Sequence, residues 1–241
     1  MLVGNVGDTE EYDYSTIYET IKRYYPPAEK GLTAGDLLKT KEYERYNRLL
    51  RSNFQDKVYY KEKWKAFKAY LKGGLDKPVR ETTAVLYPCY SGAITIEKKT
   101  SGNLTYIKEL HFFISLLGPY YSLIGLDRLE VTLPDLLRTA EQELRERNRL
   151  YHSRVALTIS PCYEYERPMK ALARLIGAQF PEYRQVPFAL ASREWTHTAL
   201  YTPDSHSATL IFHALFGRHF PLTEKVRGDE TAGCEDWRKE S

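Results

Sequence analysis

The chain has no closely spaced cysteine pair, no long apolar run and no phosphate-binding loop. Its three cysteines, Cys89, Cys162 and Cys234, are sparse and odd in number among 241 residues. That argues against a disulfide framework and for a reducing compartment. A bilayer-spanning helix needs roughly 20 predominantly apolar residues, and no stretch approaches that, so no membrane association is expected. The first residues, MLVGNVGDTEEYDY, have neither a basic n-region nor an apolar h-region. No signal peptide is therefore expected, and the protein is read as cytoplasmic. Neither GxxxxGKS/T nor GxGxxG occurs, and neither GxSxG nor HExxH. These absences remove the common enzyme classes that carry such motifs, and no cofactor is expected.

Hydrophobic residues make up 42% of the chain and charged residues 28%, the balance of a packed globular domain. The net charge is only +3, but it is segregated. Residues 1–20 carry five acids and no Lys or Arg. Residues 21–80 carry 16 bases against 7 acids. All the excess positive charge thus sits in the first third. Tyrosine is abundant, at 20 residues, which suits either the edge of a core or a binding face.

Apolar weight is concentrated in residues 104–132, LTYIKELHFFISLLGPYYSLIGLDRLEVT. Leu104, Tyr106, Leu110, Phe112, Ile114 and Leu116 fall on one face of an extended strand, interrupted by Lys108. The opposite face carries Thr105, Ile107, Glu109, His111, Phe113, Ser115 and Leu117, a mixed set. This is the period of a half-buried strand. Gly118-Pro119 breaks it, and the chain returns antiparallel from Tyr120.

Upstream, Ser15 caps a short helix with Ile17, Ile21 and Tyr24 on one stripe, stopped by Pro26-Pro27. Thr33 and Asp36 resemble a capping box for a helix reaching about residue 52, with Leu38, Tyr46, Leu49 and Leu50 inward. A third helix, 56–72, places Tyr60, Trp64, Phe67 and Leu71 at helical spacing and is expected to end at Gly73-Gly74. Residues 82–90 and 93–99, separated by Ser91-Gly92, are read as strands of an antiparallel meander. A helix is expected over 134–150 and a strand around Val155, Leu157 and Ile159. Pro168 opens a helix that Pro181 closes. Short strands are expected at 186–190 and 196–201, and a last helix at 203–216, capped by Gly217. The order implies an α+β fold: an N-terminal helical layer, a central antiparallel sheet, and C-terminal helices packed on it. Residues 1–220 are read as one domain, with 15–74 as a helical subdomain within it and 221–241 as a polar tail.

Candidate chemistry is thin. Among the histidines, His206, His213 and His219 cluster best, but seven-residue spacing suits a metal poorly, since helix-borne ligands usually stand i,i+3 or i,i+4 apart. No metal site is expected. Cys89 or Cys162 could act as a nucleophile beside His111 or His152, given a base within hydrogen-bond reach. Glu109 and His111 point to the same side of their strand and could form an acid–base pair; a solvated sheet face, or a polar patch meeting a helix, is the expected alternative. Glu164 and Glu166 carry the same two readings. The clearest local signal is KEKWKAFKAYLK, residues 61–72, with Lys61, Lys65, Lys68 and Lys72 mainly on one side of a helix and Trp64, Phe67 and Leu71 on another. It suits an acidic partner or phosphates, or a plainly solvated face.

Three pieces carry a resemblance: HFFISLLGPYYSLIGLD (111–127), FPEYRQVPF (180–188) and LIFHALFGRHF (210–220). In style and order they resemble cytosolic bacterial proteins of polymorphic-toxin systems, immunity-type proteins among them. The resemblance implies a non-enzymatic protein that binds and blocks a toxin domain; it assigns no role to an individual residue. The basic balance is unlike the acidic surface expected of a nuclease inhibitor. The expectation is a protein-binding protein whose interface includes Lys61, Lys65, Lys68, Tyr120 and Tyr121. An unfamiliar enzyme with a His/Glu or Cys/His site, and a nucleic-acid binder through 57–72, stand as alternatives.

Overall fold

A computed structural model of the chain describes residues 14–28, 33–55, 57–132, 150–199, 210–217, 226–229 and 233–237. The expected hairpin is its centre. Strand β3 (Leu104–Ser115) pairs antiparallel with β4 (Tyr120–Thr132) and, on its other edge, with β2 (Cys89–Ser101). The sheet runs β1-β2-β3-β4-β5-β7-β8, with β1 at Val79–Glu81, β5 at Leu150–Thr158, β7 at Val226–Asp229 and β8 at Gly233–Trp237. A short β6 (Arg184–Gln185) lies beside the first residues of β4. The β4–β6 and β5–β7 pairings are parallel, so the sheet is mixed.

Both faces of the sheet are covered. Leu110, Phe112 and Ile114 of β3, the face read as apolar, pack with Trp64, Phe67 and Leu71 of α4 (Lys57–Leu75) and Met169, Leu172 and Ile176 of α5 (Glu166–Gln179). Phe113, on the face read as mixed, packs with Ile17 and Ile21 of α1 (Tyr14–Lys22) and Phe212 and Phe216 of α7 (Ile211–Phe216). Tyr46, Leu49 and Leu50 of α3 (Lys41–Leu50) join this second core. The N-terminal helices are therefore divided between the two faces. The Thr33–Asp36 box forms reciprocally at the start of α2 (Ala34–Leu37): Thr33 donates to the Asp36 carboxylate, and the Asp36 N–H donates to Thr33 Oγ1 at 3.2 Å. Thr40 caps α3 separately, so the single helix expected over this stretch is two. Among the described residues, no helix is long and apolar enough to cross a membrane.

Two glycine expectations are corrected, for one reason. Ser91-Gly92 does not separate strands: it lies inside β2, directly across from Phe112 and Phe113. A Cβ on Gly92 would meet the Phe112 ring at 2.6 Å, so this glycine marks a close approach, not a turn. Likewise α4 runs through Gly73-Gly74, because the missing Cβ of Gly74 admits Leu175 of α5. The positive φ that ends α4 belongs to Asp76. Residues 82–88 form a loop, and β2 begins only at Cys89. Residues 188–191 are the short helix α6 (Phe188–Ala191), not a strand, since Pro187 supplies a suitable φ before it. Residues 196–199 make only an isolated bridge, Thr198 to Pro27. Part of the polar tail is sheet: β7 docks on β5, with Val226 buried. A neighbouring ladder, not its own apolar content, makes this segment a strand. The helix expected at 134–150 lies outside the described residues, except at its last position, which begins β5; 203–209 also lies outside them.

Gly92→Ala is expected to destabilise the fold by about 1–3 kcal/mol, through forced displacement of Phe112. Urea denaturation of the two proteins measures this.

Candidate functional site

The residues singled out by sequence divide sharply in the structure. Lys65 and Lys72 are exposed on α4, because Trp64, Phe67 and Leu71 turn the opposite stripe onto the sheet. Lys68 is partly covered and pairs with Glu81 of β1 at 3.0 Å. Lys61 belongs to α4, but its side chain lies outside the described residues. Tyr120 and Tyr121 are corrected: they retain 4% and 8% exposure and are core residues. As neighbours on one strand they point to opposite faces, so each enters a different core.

Glu109 and His111 do meet, within a cluster whose charges come from Glu109 and two arginines. Glu109 is buried and accepts hydrogen bonds from Arg80 of β1 at 2.8 Å and from Arg128 of β4 at 3.1 Å. His111 Nε2 lies 3.3 Å from its Oε2. Arg128 also reaches Glu130. Burial works against the Glu109 carboxylate, but the neighbouring imidazole and two guanidinium groups outweigh it and hold its pKa well below the carboxylate range. Burial pushes His111 down, assisted by Arg80 and Arg128 against the opposing pull of Glu109. A carboxylate held so low is a poor proton acceptor near neutrality. Of the expected alternatives, the solvated face is corrected: these positions form a buried ion cluster.

Cys89 and the histidines are not united. Cys89 stands opposite Ser115, whereas His111 stands opposite Ala93, four residues along the ladder, or about 13 Å at the usual strand rise. The Cys89 thiol donates to the Phe216 carbonyl at 3.0 Å, and burial pushes its pKa far up. Cys162 is buried too. His152 faces Glu130 across β5 and β4, its side chain outside the described residues. His213 Nδ1 accepts from the Leu210 N–H at the start of α7. His206 and His219 lie outside the described residues. Among the described residues, no group of three or more His, Cys, Asp and Glu could hold a metal ion.

A second ion cluster was invisible in sequence. Asp127 of β4 is buried and accepts from Tyr106 at 2.5 Å, Tyr165 at 2.8 Å, Lys108 at 3.2 Å and Arg227 at 3.0 Å. Lys108 also bonds Glu164, and Arg227 donates to Thr158. These residues come from β3, β4, β5, β7 and the 3-10 turn Tyr163–Tyr165. Gly125 makes room: a Cβ there would meet the Tyr165 ring at 2.8 Å. Burial and the nearby Asp127 charge raise both tyrosines, so both phenols stay protonated donors. Arg227 Nε is buried with no hydrogen-bond partner among the described residues. Glu166, by contrast, is exposed and bonds Lys170 at 2.7 Å.

Two hollows accompany these features. One of about 720 Å³ lies along α1 and is lined by polar residues such as Thr16, Glu19 and Thr20. The other, about 370 Å³, lies between the end of α4, the sheet and the start of α5, beside Glu164. A third surface feature is the loop 82–88, where Val85 and Leu86 are 63% and 76% exposed. Several bonds hold this loop: Thr82 N–H to the Ser91 carbonyl, Thr83 Oγ1 to the same carbonyl, and Tyr46 OH to the Leu86 carbonyl at 3.0 Å. Compared with protein families, curated proteins and solved structures, the chain matches none.

Two predictions follow the chemistry of these groups. The folded pKa of both His111 and Glu109 is depressed, so each favours folding above its ordinary value, 6.5 and 4.5 respectively, and loses that contribution as pH falls through its lower folded value. Stability should decline on acidification first below about pH 6.5 and again below about pH 4.5. His111→Gln should remove the first decline and, because His111 helps hold the Glu109 carboxylate low, reduce the second, as read by urea denaturation across pH. Second, iodoacetamide at neutral pH should label Cys89 and Cys162 only after denaturation, which peptide mass spectrometry resolves.

Proposed function

We propose that this protein works by binding another protein, in the manner of an immunity-type inhibitor that covers a toxin domain. The observation that carries the reading is the Val85-Leu86 pair. Two adjacent aliphatic side chains stand in solvent on a loop that hydrogen bonds hold in place. A pinned apolar projection costs little ordering entropy on association and suits the dry centre of an interface. The Lys68–Glu81 bridge ties the start of this loop to the middle of α4. Lys65 and Lys72 are exposed on the same helix, without an ion pair among the described residues. Arg174 of the adjoining α5 is exposed as well. An apolar projection together with an exposed basic helix side favours a partner that offers both an apolar patch and acidic groups. An aliphatic pair contributes nothing to phosphate binding, which places the nucleic-acid reading second. The buried state of Cys89 and the ion-paired state of Glu109 weigh against the enzymatic reading.

The test begins with tagged protein used as bait in a lysate of its own cell, washed in moderate salt. The partner retained is then purified for affinity measurements. Leu86→Asp should weaken binding about thirtyfold, the size of an interface hot spot. Lys65→Glu with Lys72→Glu should weaken it chiefly at low salt. Retention of RNA or DNA with a steep salt dependence, and no effect of Leu86→Asp, would overturn the proposal.

A further inference from the structure

The hollow of about 370 Å³ between α4 and α5 has the composition of a ligand site. Ile94 and Leu110, both almost wholly buried, line it from the sheet. Leu75, Ile96, Pro168 and Ala171 add further apolar surface. Its charged lining residues are Glu164, Lys77 and Arg167. The three are not equivalent. Glu164 is already committed: it accepts from Lys108 and lies 3.6 Å from Arg227, and these cations hold its pKa down against burial. Lys77 and Arg167 make no ion pair or hydrogen bond among the described residues. The nearby Glu166 is bonded to Lys170. The cavity thus offers an apolar interior and two cations at its edge that no hydrogen bond or ion pair among the described residues holds, although the Arg167 charge also acts on Glu166.

We propose that this cavity binds a small amphipathic carboxylate, its compact apolar body against Ile94, Ile96 and Leu110 and its anionic head between Lys77 and Arg167. Its volume sits at the low end of the roughly 300–1,000 Å³ common for ligand pockets, which favours a medium-chain acyl or phenylalkyl body over a larger ligand. A neutral ligand would gain nothing from either cation. A cationic one would be repelled, because the only lining acid is already paired. Gly74 contributes to the shape: with no side chain it lines the hollow and lets Leu175 approach α4. The site stands independently of the protein-binding reading, since Val85-Leu86 is no part of its lining.

Isothermal titration with octanoate below its micelle concentration tests the proposal, with octanol and octylamine as matched probes. Octanoate should bind saturably, and about tenfold more tightly than octanol, as two partly exposed ion pairs allow. Lys77→Glu combined with Arg167→Glu should reverse the order in favour of octylamine. Ala171→Trp should abolish binding by filling the cavity from α5, and Ile96→Trp should do so from β2. Circular dichroism establishes that each variant is folded, and one folded filling variant suffices. Equal affinity for octanol and octanoate would overturn the proposal, as would octanoate binding retained in a folded filling variant, or no binding of octanoate at all.

Discussion

Strand β3 must be covered on both faces, and much of the architecture answers that requirement. Phe112 and Phe113 are adjacent, and a strand sends adjacent side chains to opposite sides. Each is essentially fully buried. A sheet with aromatic residues on both faces of its central strand needs a helical layer on each. The chain supplies α4 and α5 to one side and α1, α3 and α7 to the other. Tyr120 and Tyr121 repeat the division on β4. The close packing that results accounts for Gly92 and Gly125, each lying where an aromatic ring from elsewhere presses on the strand.

Covering both faces also removes charged groups from water, and the structure neutralises them locally. Glu109 sits among Arg80, Arg128 and His111; Asp127 sits among Lys108, Arg227 and two phenols. An isolated buried carboxylate would be very costly, whereas a fully bonded one is tolerated. Such clusters are weak sources of net stability but strong constraints on register, since a strand slip by one residue would send every charge to the wrong face. The same bonds that make Glu109 tolerable in the core make it unsuited to moving protons.

What remains for function lies on the outside. The basic side of α4, the Val85-Leu86 projection and the cavity beside Glu164 are among the features that internal packing leaves unused in the described residues. The first two are the surfaces proposed above for a protein partner. The third is the site proposed above for a small amphipathic carboxylate. Val85 and Leu86 are no part of the cavity lining.

Local pattern alone determined a good deal. The period-two run at 104–117, the break at Gly118-Pro119 and the return strand were legible, as were the Thr33–Asp36 box, the amphipathic 56–72 helix and the α+β order. These depend on interactions within a few residues or on which side chains share a face. Tertiary structure alone decided what lies against each face. Periodicity grouped Glu109 with His111, but only the sheet order brought Arg80 and Arg128 to them. It could not show that Tyr120 and Tyr121 are core, because two neighbouring tyrosines read alike whether a helix covers them or water does. Gly92 read as a turn because glycine serves both turns and close approaches, and only Phe112, twenty residues away, distinguishes them. The Asp127 cluster gathers residues as distant as Tyr106 and Arg227, and no local spacing records a contact made across five separate segments.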